Sequence, residues 1–251
     1  WAAMVLVIPM SIISCTKEKV AQPDETLSKN TELFGISPLA ANRPPVDNPR
    51  DPLTVGLEGW FTFNNNLKDQ TKKLPDGVPT TRVVLYTQDR KGNAKAAIKF
   101  NGTYGITLEK VPQQTNSSIA LWVKYDKLGG GRLILKPNST GLGLYKTGAE
   151  VYGSIEHSSF GSLGIQALRT DTNKWFHFVV TFDGNKFRVY QDGNFAREIE
   201  LNHTLPSVLE KYFLGYWQNG GSFEWFEGSV DDLRFYSRAL SASEANQLYK
   251  L

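Results

Sequence analysis

Short segments in which apolar and polar residues alternate recur about every ten residues from residue 53 onward. In the segment 118–125, Ile119, Leu121 and Val123 share one face, as expected of a half-buried strand. The segment 175–182 is apolar on both faces, which predicts a central strand. This spacing of strands indicates an all-β sandwich.

Two tight turns follow the segment 175–182. Asp183-Gly184 leads into a strand over 186–191, and Asp192-Gly193 leads into another over 195–201. Asp-Gly pairs supply the positive backbone angles that hairpin turns require. The three segments therefore predict an antiparallel meander.

Only the end of the chain has a helical pattern. Ser241 and Glu244 have the spacing of a capping box, in which each side chain bonds to the other residue's backbone amide. A short apolar stripe follows the helical period, and its members are Leu240, Ala245, Leu248 and Tyr249.

The first 14 residues contain no charged side chain and are too short to cross a hydrocarbon core of about 30 Å as a helix. We interpret residues 1–14 as the apolar part of an export signal. Residues 15–52 are polar and proline-rich and show no period, so we expect a flexible tether ahead of one domain over 53–251.

Cys15 is the only cysteine in the chain, so no internal disulfide can form. The stretch 12–15, Ile-Ile-Ser-Cys, resembles the lipobox of bacterial lipoproteins, and Lys17-Glu18 resembles the export tag of Bacteroidetes surface lipoproteins. This resemblance implies lipidation of Cys15, an outer-membrane lipid anchor and exposure at the cell surface. The alternative is a buried or incidental cysteine.

The chain has 251 residues, and 40% of them are hydrophobic, which is enough for one sizeable core. The 28 basic and 25 acidic side chains are interspersed and give a net charge of +3. A nucleic-acid partner needs a dense basic face, and the sequence has none.

The closing stretch 226–244, FEGSVDDLRFYSRALSASE, resembles the ending of laminin-G-like, concanavalin A-like jelly-roll domains. The opening stretch 59–69, AIKFNG at 97–102 and the segments around 119–124 and 175–193 follow in that family's order. The resemblance covers roughly residues 56–251. It implies a jelly-roll β-sandwich whose last strand pairs beside the first, with a small helix covering an edge. It also implies packing roles in the core for Trp60, Trp122 and Trp175.

The same resemblance implies a structural calcium near the two ends of the domain. Its expected ligands are Asp231, Asn64, Asn66 and Asp69, which offer hard oxygen atoms. The alternative is that Asp231 caps loop amides or pairs with Arg234 or Arg238. Asp231 and Asp232 are neighbours on a strand, so we expect their side chains on opposite faces and not as a catalytic pair.

Enzymes on this fold present two or three carboxylates at alternate positions of one strand. Only Glu198 and Glu200 alternate here, and they lie in an outer strand without a third partner. We therefore expect a protein without catalytic activity.

Candidate ligand contacts flank the polar loop 218–222. Trp217 and Trp225 offer flat apolar faces to sugar rings, beside Tyr216, Gln218 and Asn219. The alternative is that the two indoles pack beneath the loop. Other aromatic candidates for the same sheet are Tyr145, Tyr152, His157 and Phe160.

These features favour a surface lipoprotein that binds a polysaccharide or oligosaccharide. A second hypothesis is an accessory subunit that contacts an outer-membrane nutrient-uptake transporter. A glycan hydrolase or lyase is a third.

Overall fold

A computed structural model of the protein describes residues 51–129, 131–136, 141–157, 161–219 and 222–251. The side chains of Leu168, Arg169 and Asn219 are outside that description. The predicted signal segment 1–14, Cys15 and the tether up to residue 50 also lie outside the described residues.

The described residues form a 3₁₀ turn at Pro52–Thr54, seventeen strands and one α-helix. In chain order the elements are β1 (Leu57–Phe61), β2 (Val78–Pro79), β3 (Leu85–Thr87), β4 (Ala97–Asn101), β5 (Ile106–Gln113), β6 (Ser117–Tyr125), β7 (Gly131–Leu135), β8 (Gly141–Thr147), β9 (Glu150–His157), β10 (Gly161–Arg169), β11 (Trp175–Phe182), β12 (Lys186–Gln191), β13 (Asn194–Glu200), β14 (Val208–Leu214), β15 (Tyr216–Asn219), β16 (Ser222–Trp225), β17 (Glu227–Tyr236) and α1 (Ala242–Lys250).

The strands form two large antiparallel sheets and one short hairpin. Sheet A has the order β13-β12-β11-β6-β17-β4-β3, and β1 also pairs with β17. Sheet B has the order β10-β9-β8-β7-β14-β5-β2. The hairpin consists of β15 and β16. This architecture confirms the predicted β-sandwich and the meander β11-β12-β13.

The two sheets enclose one continuous apolar core. Alternate residues of each strand point inward, as the period of two requires. From sheet A they include Leu121, Phe178 and Phe235, and from sheet B they include Leu144 and Ile155. All five side chains are at most 2% exposed.

The first and last strands lie side by side. Phe61 pairs with Leu233 and Trp60 with Arg234 across the β1–β17 ladder. The same part of β17 pairs on its other side with β6, where Phe235 lies opposite Ile119. The predicted closure of the two ends of the domain is confirmed.

Helix α1 covers the outer face of sheet A. Its Ala245 and Leu248 pack with Ala120 and Val179, which lie on the central strands β6 and β11 and point away from the inter-sheet core. Ser241 and Glu244 form both bonds of the capping box. The helix therefore does more than cover an edge, which is a correction to the expectation from the resemblance.

Of the three tryptophans expected to pack in the core, only Trp122 is buried, and it lies outside the core between the sheets. Trp122 is 8% exposed, but it points to the outer face of sheet A, where it stacks on Tyr249 of α1. Trp60 and Trp175 are half-buried. The core between the sheets is filled by phenylalanine, tyrosine and aliphatic side chains instead.

Candidate functional site

The hairpin of β15 and β16 separates the two tryptophans that the sequence analysis grouped together. Tyr216 lies opposite Trp225, and Trp217 lies opposite Glu224. Directly opposed residues share a face of a strand pair, whereas successive residues alternate. Trp217 and Trp225 therefore point to opposite faces of the hairpin and cannot flank a single ligand.

The face that carries Trp225 is a ladder of stacked rings. Phe223 stacks on Trp225 at a centroid distance of 5.0 Å, and Tyr216 lies 5.9 Å from Trp225 and 4.4 Å from Phe213. Tyr216 is buried, and its hydroxyl is 2.9 Å from that of Thr107. Tyr216 is thus a packing residue.

Gln218 and Asn219 were predicted to contact a ligand beside these rings, and the structure describes the side chain of Gln218 alone. Gln218 is exposed and lies opposite Phe223, on the Trp225 face of the hairpin and away from Trp217. The side chain of Asn219 lies outside the described residues.

The face that carries Trp217 looks onto the outer face of sheet B. The guanidinium of Arg132 on β7 lies 5.3 Å from the ring centre of Trp217 and 5.1 Å from that of Tyr145 on β8. The Nε atom of Arg132 donates to Glu224 at 2.9 Å, which fixes the guanidinium between the two rings. Arg132 therefore links the hairpin to the sheet, and only the sheet register reveals it.

Tyr145 continues this surface with a second tyrosine. Tyr145 pairs directly with Tyr152 across β8 and β9, and the two rings are 5.1 Å apart and within 6° of parallel. The Tyr152 hydroxyl donates to Glu150 at 2.7 Å. Gly164 on β10 leaves room for this arrangement, because a Cβ atom there would lie 2.5 Å from the Tyr145 hydroxyl. Both rings are half-exposed.

A polar cluster lies at the end of the same sheet. The side chain of Lys136 is 2% exposed, and its ammonium group lies 2.8 Å from the Gln113 amide oxygen and 3.2 Å from the Glu210 carboxylate. Burial lowers the pKa of Lys136, and Glu210 opposes that shift. Burial raises the pKa of Glu156, against the influence of Arg132 and Lys136. Glu156 thus lies between the charged end of the sheet and the aromatic surface.

We call the set Arg132, Tyr145, Tyr152 and Trp217 the aromatic face of sheet B. Of these residues the sequence analysis singled out Trp217 as a primary candidate and the two tyrosines as secondary ones. Arg132 gave no signal, because a lone arginine in a strand is usually solvated. His157 ends β9, and Phe160 lies outside the described residues.

The predicted calcium ligands do not converge. Asp69 accepts hydrogen bonds on both oxygens, from the backbone amides of Trp60, Thr71, Lys73 and Leu74 and from the Thr71 hydroxyl, at 2.6–3.1 Å. Burial opposes ionisation, but these bonds lower the pKa of Asp69 below its usual range. The Asp69 carboxylate therefore orders its own loop.

Of the two asparagines of the predicted calcium site, only Asn64 lies near Asp231. The side chain of Asn66 donates to the backbone oxygen of Asn64 and accepts from the amide of Lys68. Asn64 lines an open cleft of about 430 Å³, together with Asp231 and Asp232.

Arg90 also lines that cleft. Its Nη1 atom bonds to Asp231 at 2.6 Å and its Nη2 atom to Asp232 at 2.8 Å. Both carboxylates thus reach one guanidinium, so the expectation that they point to opposite faces is wrong. The register of β17 shifts between Asp231 and Arg234, and Asp232 has a positive φ of 46°. This bulge turns Asp232 to the side of Asp231.

These contacts decide how well the residues fit a calcium ion. Among the described residues no group of three or more His, Cys, Asp or Glu side chains is placed to hold a metal. The alternative expectation, that Asp231 pairs with Arg234 or Arg238, named the wrong arginine. Asp231 bonds to Arg90 instead. Burial and the Asp232 carboxylate raise the pKa of Asp231, and Arg90 opposes the rise. The predicted set, as the protein holds it, does not fit calcium.

The alternating glutamates are engaged in ion pairs on the outermost strand of sheet A. Glu198 bonds to Lys186 at 2.8 Å and to Arg188 at 2.5 Å, and Glu200 lies 3.3 Å from Lys186. Paired with cations in this way, they form a solvated charge ladder.

The two antiparallel sheets have the architecture of a known β-sandwich superfamily. A family model of the concanavalin A-like lectin/glucanases superfamily matches residues 100–246. The chain belongs to this superfamily. A search of curated proteins found no matching relative.

Solved structures of similar fold include binding domains. Domain 4 of AbnA, a GH43 extracellular arabinanase from Geobacillus stearothermophilus, in complex with arabinotriose, is 22% identical with a TM-score of 0.60, over 77% of this chain and 98% of that domain. The receptor binding domain of botulinum neurotoxin D is 14% identical with a TM-score of 0.62, over 78% of this chain and 52% of that one. The binding domain of Paraclostridial Mosquitocidal Protein 1 is 14% identical with a TM-score of 0.62, over 77% of this chain and 52% of that one.

This chain spans about half the length of the two toxin domains. At these identities the likenesses show the fold. None of the helices in the described part of the chain has the length and apolar character needed to cross a membrane.

Proposed function

We propose that the protein binds a carbohydrate on the aromatic face of sheet B without cleaving it. The observation that carries this proposal is the open pair of parallel rings, Tyr145 and Tyr152, beside Arg132 and Trp217. Sugar rings present apolar C–H faces to flat aromatic surfaces and hydroxyls to planar polar groups. The arrangement offers both kinds of contact on one sheet.

The domain of AbnA supports this proposal as a structural neighbour solved with arabinotriose. It also suggests the first ligands to test, which are arabinan and arabino-oligosaccharides in a panel with other plant and microbial glycans. Affinity gel electrophoresis of the full chain detects retention by a polysaccharide, and calorimetry then gives Kd for an oligosaccharide.

The variants Trp217→Ala and Tyr145→Ala test the site. Each removes one aromatic surface, whose burial contributes on the order of 1.5–3 kcal/mol, so we expect affinity to fall at least about tenfold. Trp175→Ala is the matched control, because Trp175 is also half-buried beneath a cation, Lys124, but lies on sheet A. Equal losses in the three variants would exclude the aromatic face as the site.

A non-catalytic role is tested with the same panel. The proposal expects no new reducing ends or unsaturated products after prolonged incubation. Release of products that is lost in a Glu156→Gln variant would instead establish a hydrolase or lyase at the polar end of sheet B.

The face of the hairpin opposite Trp217 favours a second candidate function. Phe223 is 45% exposed and stacks on Trp225, which leaves an apolar ring at the tip of the hairpin. Such a ring is typical of a protein contact. Co-purification of a membrane transporter that is lost in Phe223→Ser, without any glycan retention by the unaltered chain, would favour the accessory-subunit role.

The proposal places the protein at the outer surface of a bacterial cell, held by lipid on Cys15. The support for this location is the apolar segment 1–14 that ends at the cysteine. Mass spectrometry of the protein expressed in a bacterial host should find Cys15 acylated, and Cys15→Ser should leave the chain unacylated and released from the membrane fraction.

A further inference from the structure

The junction between the first and last strands contains a cation of its own. The side chain of Arg90, in the loop between β3 and β4, is only 10% exposed. It bridges Asp231, whose side chain is 5% exposed, and Asp232, whose side chain is 17% exposed. Both bonds are charge-assisted and use two nitrogens of the same fork, which a planar guanidinium provides and an ammonium does not.

Aromatic rings hold this ion cluster on two sides. The guanidinium of Arg90 lies 4.7 Å from the ring centre of Trp122, and the indole nitrogen of Trp60 donates to Asp232 at 2.9 Å. A second cation, Arg234, lies 4.5 Å from the ring centre of Trp60. The positions of both carboxylates are therefore fixed from several directions at once.

The backbone of β17 is shaped for this cluster. The bulge after Asp231 interrupts the pairing with β6, and Asp232 adopts a left-handed conformation that residues other than glycine rarely take. Because of this conformation the Asp232 carboxylate lies beside Arg90, as the Asp231 carboxylate does. Two neighbouring carboxylates in one partly buried cleft repel each other unless a cation lies between them.

We propose that the Arg90 guanidinium is the resident cation of this cleft and replaces a divalent metal at the junction of β1 and β17. The oxygen atoms suited to a metal there belong to Asp231, Asp232 and Asn64, which line the cleft together with Arg90. The domain is accordingly stable without calcium, and removal of the guanidinium turns the same cleft into a calcium site.

Thermal unfolding of the full chain tests this proposal. The unaltered protein should show the same Tm, within about 1 °C, in millimolar calcium chloride and in EDTA, because no site is open. Arg90→Ala leaves two carboxylates without their cation, so its Tm in EDTA should fall by roughly 6–12 °C. Calcium, but not sodium at equal ionic strength, should recover about half of that loss.

Arg188→Ala is the matched control. Arg188 also bridges two carboxylates, those of Asp183 and Glu198, but its side chain is 21% exposed, whereas that of Arg90 is 10% exposed. We expect a loss of about 2 °C and no response to calcium.

Three results would overturn the proposal. One is stabilisation of the unaltered protein by calcium, and another is a Tm loss in Arg90→Ala no larger than in Arg188→Ala. The third is an Arg90→Ala protein that calcium does not stabilise. If this variant does not fold unaided, refolding in calcium and in EDTA gives the same readout, and failure in both conditions also counts against the proposal.

Discussion

The outer faces of the two sheets carry similar residues, but these residues differ in how far they are exposed to solvent. On sheet A, Trp122 lies between Arg90 and Tyr249 and is 8% exposed. On sheet B, Arg132 lies between Trp217 and Tyr145, and both rings remain half-exposed. Each face combines an arginine with two aromatic rings, but helix α1 covers the first, whereas among the described elements the short hairpin of β15 and β16 lies over the second.

The difference shows that aromatic residues and arginines do not by themselves mark a binding surface. On sheet A the arginine is neutralised by a buried carboxylate, that of Asp231, and a partly buried one, that of Asp232, and the rings stabilise the closure of the domain. On sheet B one exposed carboxylate, Glu224, orients the arginine and leaves the rings accessible. What lies over a ring decides whether it is packed or accessible to a ligand.

The largest expected effect distinguishes the two faces by stability. Trp122→Ala should lower the free energy of unfolding by about 3–5 kcal/mol, because it removes a buried indole and opens a cavity beneath α1. Tyr145→Ala should lower it by less than about 1 kcal/mol, since its ring is half-exposed. Urea unfolding at pH 7 measures both free energies. Similar losses in the two variants would contradict the inference that Trp122 packs in the fold and Tyr145 does not.

A buried histidine gives sheet A a pH dependence. His177 lies opposite Trp122, is 3% exposed, and has an Nδ1 atom without a hydrogen-bond partner among the described residues. Burial, with smaller contributions from Arg234 and Arg90, lowers the pKa of His177 to about 3. The folded protein therefore holds His177 neutral under conditions in which the unfolded chain protonates it.

Because the unfolded state binds the extra proton, stability must fall as the pH falls from about 6.5 towards 3. The expected contribution of His177 is a loss of about 2 kcal/mol between pH 7 and pH 5. His177→Phe keeps an aromatic ring at this position and removes the titrating group. The loss of unfolding free energy between pH 7 and pH 5 should therefore be about 2 kcal/mol smaller in this variant. An unchanged pH dependence of the unfolding free energy in His177→Phe would contradict the inference that His177 is neutral in the folded protein.

The sequence predicted most of the fold because the fold depends on local patterns. The period of two in β6 and β11, the Asp-Gly turns of the meander and the capping box of α1 each act within a few residues. The resemblance of the closing stretch correctly placed β17 beside β1.

The sites were harder to predict because they depend on register and on distant residues. A period of two assigned Asp231 and Asp232 to opposite faces, and a one-residue bulge in β17 reversed that result. Trp217 and Trp225 are close in sequence, but the pairing of β15 with β16 turns them apart. Arg90 and Arg132 lie 141 and 92 residues from the carboxylates they bind, a distance that no local pattern spans.

The smallest expected effect concerns the cover of sheet A alone. The Ser241 hydroxyl accepts the amide of Glu244 at 3.3 Å, and the Glu244 carboxylate accepts the amide of Ser241 at 2.8 Å and binds Arg238 at 2.6 Å. Burial opposes ionisation of Glu244, but the bonds from Arg238 and Ser241 outweigh it and hold the pKa of Glu244 at about 2. The start of α1 is thus fixed by a side chain that stays ionised.

Ser241→Ala removes one of these bonds and should lower the free energy of unfolding by about 1 kcal/mol. The loosened helix should also change the fluorescence of Trp122, since Tyr249 stacks on it from α1. Affinity for a glycan on sheet B should not change, because the cap and the aromatic face lie on opposite sides of the core. A loss of glycan binding in Ser241→Ala, with the domain still folded, would show that the two faces are not independent.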